Sequence, residues 1–176
     1  NNKGNKTSRK KGRQDDNPYQ KTVLLPKTEF GMRANAKKRE PELQEWWREK
    51  GIYEQLIKQN KGGTYTLHDG PPYANGDLHL GHAMNKVLKD IIVKHKLLKG
   101  HRASFVPGWD CHGLPIELKV LQQMNSKTRS SLTPQTLRSK ARDFALKTID
   151  SQAAQFKRYG VWGNWDDRYQ TLDPAY

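Results

Sequence analysis

The chain has 176 residues, of which 34% are hydrophobic and 28% charged, and its formal net charge is +14 at pH 7. Five tryptophans and seven tyrosines argue against a fully disordered chain. A single cysteine, Cys111, rules out an internal disulfide, and no apolar run reaches the roughly twenty residues of a helical membrane span. Lys3, Lys6, Arg9, Lys10, Lys11 and Arg13 supply six of the positive charges with no acid among them, which leaves +8 on residues 14–176. A basic body of this kind favours a polyanionic partner, against the plainer alternative of a solubilising surface charge.

Residues 1–20 read as a disordered basic tail. Thr22 to Leu25 is a short extended piece ending at Pro26. Residues 21–62 form an N-terminal helical extension. Its helix is expected to open near Glu40-Pro41, with Pro41 in the first position, and to be interrupted at Gly51. Its Trp46-Trp47 pair reads as packing. Thr64 to His68 is expected as a buried strand, followed by an irregular Gly/Pro/Asn-rich loop from Asp69 to Gly76. Asp77 is the expected N-cap of a helix running to Lys99, with Gly100 as its stop. Met84, Leu88, Ile91, His95 and Leu98 recur at helical spacing and are expected to face the core. Ala103 to Val106 is read as a second strand, so residues 63–176 begin a βαβ unit with parallel strands.

A short helix is expected over Pro115–Met124. Thr133-Pro134 should open a long amphipathic helix reaching Gly160. Leu137, Ala141, Phe144, Ala145, Ile149, Ala153 and Phe156 lie on its apolar side, with Arg138, Lys140, Arg142, Lys147, Lys157 and Arg158 on its polar side. Trp162 to Asp167 is a loop, and no complete element is expected after it. The fold class is α/β, with an unfinished domain at residue 176 and the chain read as a fragment.

Ligands of open α/β sheets sit beyond the carboxyl ends of the strands. The segments Asp69–His82 and Pro107–Gly113 should therefore converge. His79 and His82 fall on one face of the first helical turn, beside N–H groups that have no partner inside the helix. There they can donate to phosphate oxygens. Gly81 between them lets a flat ligand approach the backbone. Gly70 and Gly76 are expected to hold loop conformations closed to other residues, and Pro71 and Pro72 to stiffen one wall. Asp110 offers a carboxylate suited to an ammonium group, with capping of a following helix as the plainer alternative. Trp109 is read as a pocket wall and Cys111 as a small buried group. Zinc binding by His79, His82, Cys111 and His112 is disfavoured, because adjacent Cys and His rarely both reach one ion.

His79-Leu80-Gly81-His82 resembles the His-Ile-Gly-His motif of the class I aminoacyl-tRNA synthetases. The flanks Asp69-Gly-Pro-Pro-Tyr-Ala-Asn-Gly76, Gly81-His-Ala-Met-Asn-Lys86 and Pro107-Gly-Trp-Asp-Cys-His-Gly-Leu-Pro-Ile-Glu117 resemble the isoleucyl branch of that family. So do Leu25 to Asn35 and Arg39-Glu-Pro41. The resemblance implies a Rossmann-like catalytic domain, incomplete over 63–176. It implies ATP binding by His79, Gly81 and His82, the two histidines being the catalytic pair. It implies amino-acid binding by Gly70, Pro71 and Asp110, with no metal held by these residues. ATP with Mg²⁺, isoleucine and tRNA(Ile) are the implied substrates and partners. Zinc is expected only in parts of such an enzyme beyond these 176 residues, as are the Lys-Met-Ser-Lys-Ser signature, the editing insertion and the anticodon-binding helices. The isolated fragment is expected not to charge tRNA. The full-length protein is expected to be a cytoplasmic monomer, with a plastid or mitochondrion as the alternative location. Two other readings compete: a different adenylate-forming α/β enzyme that shares the His-x-Gly-His feature, and a non-catalytic basic RNA-binding module.

Overall fold

The computed structural model describes residues 18–24, 27–29, 31 and 33–176. They fall into two compact units, the first ending at Ala34 and the second spanning Asn35–Tyr176. Residues 1–17 of the expected tail lie outside the described residues, as do Leu25 and Pro26 at the end of the expected extended piece. In the first unit, Pro18–Thr22 forms a 3₁₀ turn, and the Thr22 hydroxyl donates to the Tyr19 carbonyl at 2.8 Å.

The second unit opens with α1 (Ala36–Glu49), which starts five residues before Pro41. Ala36, Lys37, Lys38 and Arg39 are good helix formers, and they extend the helix back to Asn35, whose φ of 44° marks the break. Pro41 is therefore inside the helix and not at its first position. Gly51, at φ 54°, separates α1 from α2 (Ile52–Gln59) as its position suggested. Trp47 packs edge-on against Trp162 at 5.5 Å between ring centroids, whereas Trp46 stays half exposed. Both helices belong to the same unit as the segment that follows. Asn60 donates to the carbonyls of Leu97 and His101, each at 2.8 Å.

α3 (Leu80–Leu98) ends at Lys99, followed by Gly100 at φ 84°. Its cap is His79 and not Asp77. Its buried face is Lys86, Asp90, Val93 and Leu97. The stripe expected to face the core is exposed instead: Met84, Leu88, Ile91 and Leu98 all face outward, as does His95. The apolar count misleads because two of the four buried positions are charged and internally matched. Asp90 pairs with Lys94 and accepts the Trp162 N–H at 2.8 Å, while Lys86 pairs with Asp69.

The strands also move. Thr64 contributes only an isolated parallel bridge to Arg102, and Ala103–Val106 forms no strand. The ladder lies further on, where β1 (Gly108–Trp109) runs parallel to β2 (Tyr169–Gln170), with Gly108 opposite Tyr169. β2 lies in the stretch where no element was expected. A second parallel bridge joins Tyr73 to Asp110. The parallel sense is as expected, but β1 falls within the Pro107–Gly113 segment, beyond the strand expected over Ala103–Val106. Gly108 is in the strand because the Tyr169 ring lies across it: a Cβ there would sit 1.9 Å from Tyr169 Cζ.

α4 (Leu114–Gln122) matches the expected short helix. α5 (Ser126–Ser130), capped by the Asn125 side chain, was not foreseen. α6 (Pro134–Arg158) starts and stops as expected: Thr133 Oγ1 accepts the Thr136 N–H at 3.2 Å, and Gly160 has φ 82°. Its apolar side enters a core with Ala74, Trp109, Cys111 and Ile116, and its cations remain exposed. A second core gathers Val93, Leu97, Ala103, Phe105 and Val161, with Tyr53, Leu56 and Ile57 packed against it.

Gly108→Ala is expected to destabilise the chain by about 1–3 kcal/mol, because the new methyl collides with a ring wedged in the sheet. Gly63→Ala meets nothing within 4 Å and should change stability by less than about 0.5 kcal/mol. Urea denaturation of the two variants compares them directly.

Candidate active site

His79 and His82 cap α3 reciprocally. His79 Nδ1 accepts the Gly81 N–H at 3.1 Å, and His82 Nδ1 accepts the His79 N–H at 3.2 Å. This is the logic of a capping box, with imidazoles in place of the usual hydroxyl and carboxylate. The rings lie 3.9 Å apart between centroids. A neutral ring that accepts at Nδ1 carries its proton on Nε2, so this bonding pattern assigns an Nε2–H donor to each ring. Burial, aided by His79 and the Lys86 cation, holds the His82 imidazole below its ordinary pKa, which favours the neutral donor form at pH 7. Gly81 serves this arrangement directly. A Cβ there would lie 2.9 Å from His79 Cε1, so a side chain would push the ring off the helix turn.

The two segments expected to converge do so. The Gly108 N–H donates to Asp69 Oδ2 at 3.1 Å, the Asp110 N–H to the Pro72 carbonyl at 2.9 Å, and the Ala74 N–H to the Asp110 carbonyl at 3.0 Å. Gly70 and Pro71 lie in the same loop. Gly76 has φ 152°, outside the usual range of L residues, but Gly70 does not share that property, and the space beside it is open to within 4.0 Å of Lys89 Nζ. The expectation of a closed loop conformation therefore holds at Gly76 and fails at Gly70.

Asp69 anchors this convergence, and sequence reading passed it over. It is 1% exposed and pairs with Lys86, itself 2% exposed, and with Lys89 at 2.7 Å. Lys86 Nζ lies over the Phe105 and Phe156 rings at 5.4 and 5.1 Å. Burial pulls the Lys86 ammonium below its usual pKa and the Asp69 carboxylate opposes that pull. One signal was available in the sequence: Lys86 lies one turn beyond His82 and Lys89 two turns, all on one helix face.

Asp110 accepts the His112 N–H at Oδ1, 3.1 Å away, and closes a local turn; the following helix is capped at Gly113. Among the described residues its second carboxylate oxygen has no partner. Trp109 is not a pocket wall. It is fully buried, and its indole N–H donates to Gln152 Oε1 at 2.9 Å. Cys111 is buried as expected, and burial pushes its thiol pKa up. His112 Nε2 meets the Thr171 carbonyl at 2.9 Å. Among the described residues no cluster of three or more His, Cys, Asp or Glu could hold a metal ion, and no helix is long and apolar enough to cross a membrane. A cleft of about 650 Å³ lies among Trp47, Tyr53, Ile57, Trp162 and Trp165, and a cavity of about 270 Å³ beside Cys111, Arg138 and Arg142. None of Gly70, Pro71, His79, Gly81, His82 and Asp110 lines either one.

Two outcomes follow from this geometry. In an NMR titration the His82 ring should protonate below the ordinary value of about 6.5. The folded chain then resists protonation that the unfolded chain accepts, so the capping pair supports folding fully above about pH 6.5 and loses that support as acid charges the ring. A midpoint above 6.5 would contradict the environment described. Separately, Asp69→Leu strands Lys86 in an apolar interior and should cost about 3–5 kcal/mol, whereas Asp69→Leu combined with Lys86→Met should recover most of that loss in chemical denaturation.

The profile of the class I tRNA synthetases (I, L, M and V) matches residues 42–176. The isoleucine–tRNA ligase of Crocosphaera subtropica is 64% identical over 162 residues, covering 92% of this chain and 17% of that protein. That of Synechocystis sp. is 65% identical over 158 residues, covering 90% and 16%. The chain thus spans about a sixth of the length of these curated relatives. A crystal structure of a LeuRS–tRNA–LeuAMS ternary complex from Agrobacterium radiobacter K84 superposes with a TM-score of 0.61 at 23% identity, covering 82% of this chain and 17% of that one, which shows a shared fold. The histidine-capped helix and its small parallel sheet are therefore part of a class I synthetase catalytic domain, and the chain belongs to the class I tRNA synthetases of the isoleucine, leucine, methionine and valine group.

Proposed function

We propose that the protein to which these residues belong is an isoleucine–tRNA ligase. It activates isoleucine with ATP and passes the acyl group to tRNA(Ile). Identity above 60% to proteins of that name supports the amino-acid assignment. The observation that carries the site assignment is the close, tilted histidine pair at the start of α3, with both Nδ1 atoms occupied by backbone N–H groups.

In this reading the isoleucine carboxylate attacks the α-phosphorus of ATP. The bond to the bridging oxygen breaks, and isoleucyl-adenylate and pyrophosphate form. No protein nucleophile is required. His79 and His82 donate through Nε2–H to phosphate oxygens as negative charge builds, and the positive end of α3 adds to that stabilisation. Gly81 keeps the backbone side of the turn low enough for adenosine to lie close. Asp110 pairs with the substrate ammonium through its unpartnered oxygen, and Gly70 and Pro71 form one wall beside it. Catalysis is positioning plus charge stabilisation. Mg²⁺ enters this reading with ATP, because it binds chiefly through substrate phosphates and water.

ATP–pyrophosphate exchange by the full-length protein tests this assignment. Isoleucine should stimulate exchange far more than valine or leucine. His79→Ala and His82→Ala should each lower it by roughly 10²–10³-fold, the usual effect of losing one preorganised donor to a developing anion. Stimulation by valine or leucine and not by isoleucine would overturn the substrate assignment. Full activity in both alanine variants would overturn the histidine roles.

A further inference from the structure

Gln152 lies mid-way along α6, is fully buried, and touches neither His79, His82 nor Asp110 by any hydrogen bond. Three of the four hydrogen-bonding directions of its carboxamide, including both donors, are nonetheless used on the segments that carry the site. Oε1 accepts the Trp109 indole N–H at 2.9 Å, and Nε2 donates to the Tyr73 carbonyl at 3.2 Å and to the Gly76 carbonyl at 2.6 Å. Trp109 ends β1 immediately before Asp110, and Tyr73 and Gly76 belong to the loop that carries Gly70-Pro71. We propose that Gln152 is the positioning residue of the amino-acid pocket. It clips the loop wall and the Asp110 strand to one rigid helix, so that their separation is set by a single planar group.

The chemistry of the carboxamide supports this role. One side chain must accept once and donate twice, in one plane, inside an apolar core. Glutamine does this, and the three bonds also fix which end is oxygen. Glutamate has the same shape but no donors, so its carboxylate would face two carbonyl oxygens. Methionine fills the volume but leaves an indole N–H and two carbonyls unsatisfied. The neighbouring residue on the same helix face continues the pattern. Gln155 accepts the Leu78 N–H and donates to Asp77, each at 3.4 Å, just before the His79 cap. The loop is thus tied to α6 along its length, and the tight bonds are those of Gln152.

This inference rests on the reading of Gly70, Pro71 and Asp110 as the amino-acid site. The test uses full-length enzyme carrying Gln152→Glu, Gln152→Met or Trp109→Phe, the last removing only the indole N–H. Steady-state ATP–pyrophosphate exchange should show KM for isoleucine raised roughly tenfold or more in the Gln152 variants, from the loss of one or two buried hydrogen bonds. KM for ATP should stay within about twofold, because the histidine cap is intact. Trp109→Phe should shift the isoleucine KM in the same direction by less. Equal shifts in both KM values, or an isoleucine KM unchanged in all three variants, would overturn the proposal and leave Gln152 as core packing. Hydrogen exchange of the same variants supplies an independent readout: the hydrogen-bonded loop amides of Ala74 and Leu78 should lose protection while those of α3 keep theirs. Loss of protection throughout both helices would also overturn it. If the unsubstituted enzyme shows no isoleucine-dependent exchange, the functional reading fails, and the loop amides alone still decide whether Gln152 holds the loop.

Discussion

A carboxylate with no access to water organises this structure. Asp69 faces two ammonium groups and a backbone N–H, and all three come from segments distant in sequence: α3 supplies Lys86 and Lys89, and β1 supplies Gly108. An ion pair inside a core is not a general source of stability, because desolvation offsets the attraction. Its effect is on uniqueness. Any arrangement of loop, helix and strand that separates these groups leaves a bare charge in a medium of low dielectric. The packing of α3 against the loop is therefore specified in register as well as in contact. The Tyr169 hydroxyl, donating to the Asp69 carbonyl at 2.8 Å, ties β2 to the same point.

The histidine pair depends on that anchor. Its position is set by the start of α3, and α3 is held by its Lys86 face. Each imidazole spends its Nδ1 on the helix end, which satisfies donors that would otherwise be orphaned. The remaining Nε2–H groups are free to serve a ligand. In the proposed function capping and anion recognition are two uses of the same rings, and the first determines the tautomer that the second requires. Gly81 serves the cap through the room it leaves, which the His79 ring fills.

Glutamine on α6 extends the scheme to the second wall. The core beneath the site is not purely apolar. Trp109, Gln152 and the carbonyls of Tyr73 and Gly76 form a small polar network in which each group is matched. Such a network tolerates little distortion, and that suits a surface whose task is to hold a loop and a strand at constant separation.

Local features of this molecule were legible in the residues alone. The stop of α3 at Gly100, the break at Gly51, the Thr133 cap and the apolar side of α6 are set by interactions within four residues, and they appear where the pattern placed them. The pairing of His79 with His82 and the convergence of the Gly-Pro-Pro loop with the Asp110 segment were also readable, because helical spacing and parallel connection constrain them. The buried face of α3, the location of the strands, the burial of Trp109 and the roles of Asp69 and Gln152 were decided by tertiary structure. Each depends on a partner far along the chain: 39 residues separate Asp69 from Gly108, 79 separate Gln152 from Tyr73, and Gly108 is a strand residue only because Tyr169 arrives to cover it. A charged side chain reads as surface until its counter-charge is known, and that counter-charge is brought close only by the fold.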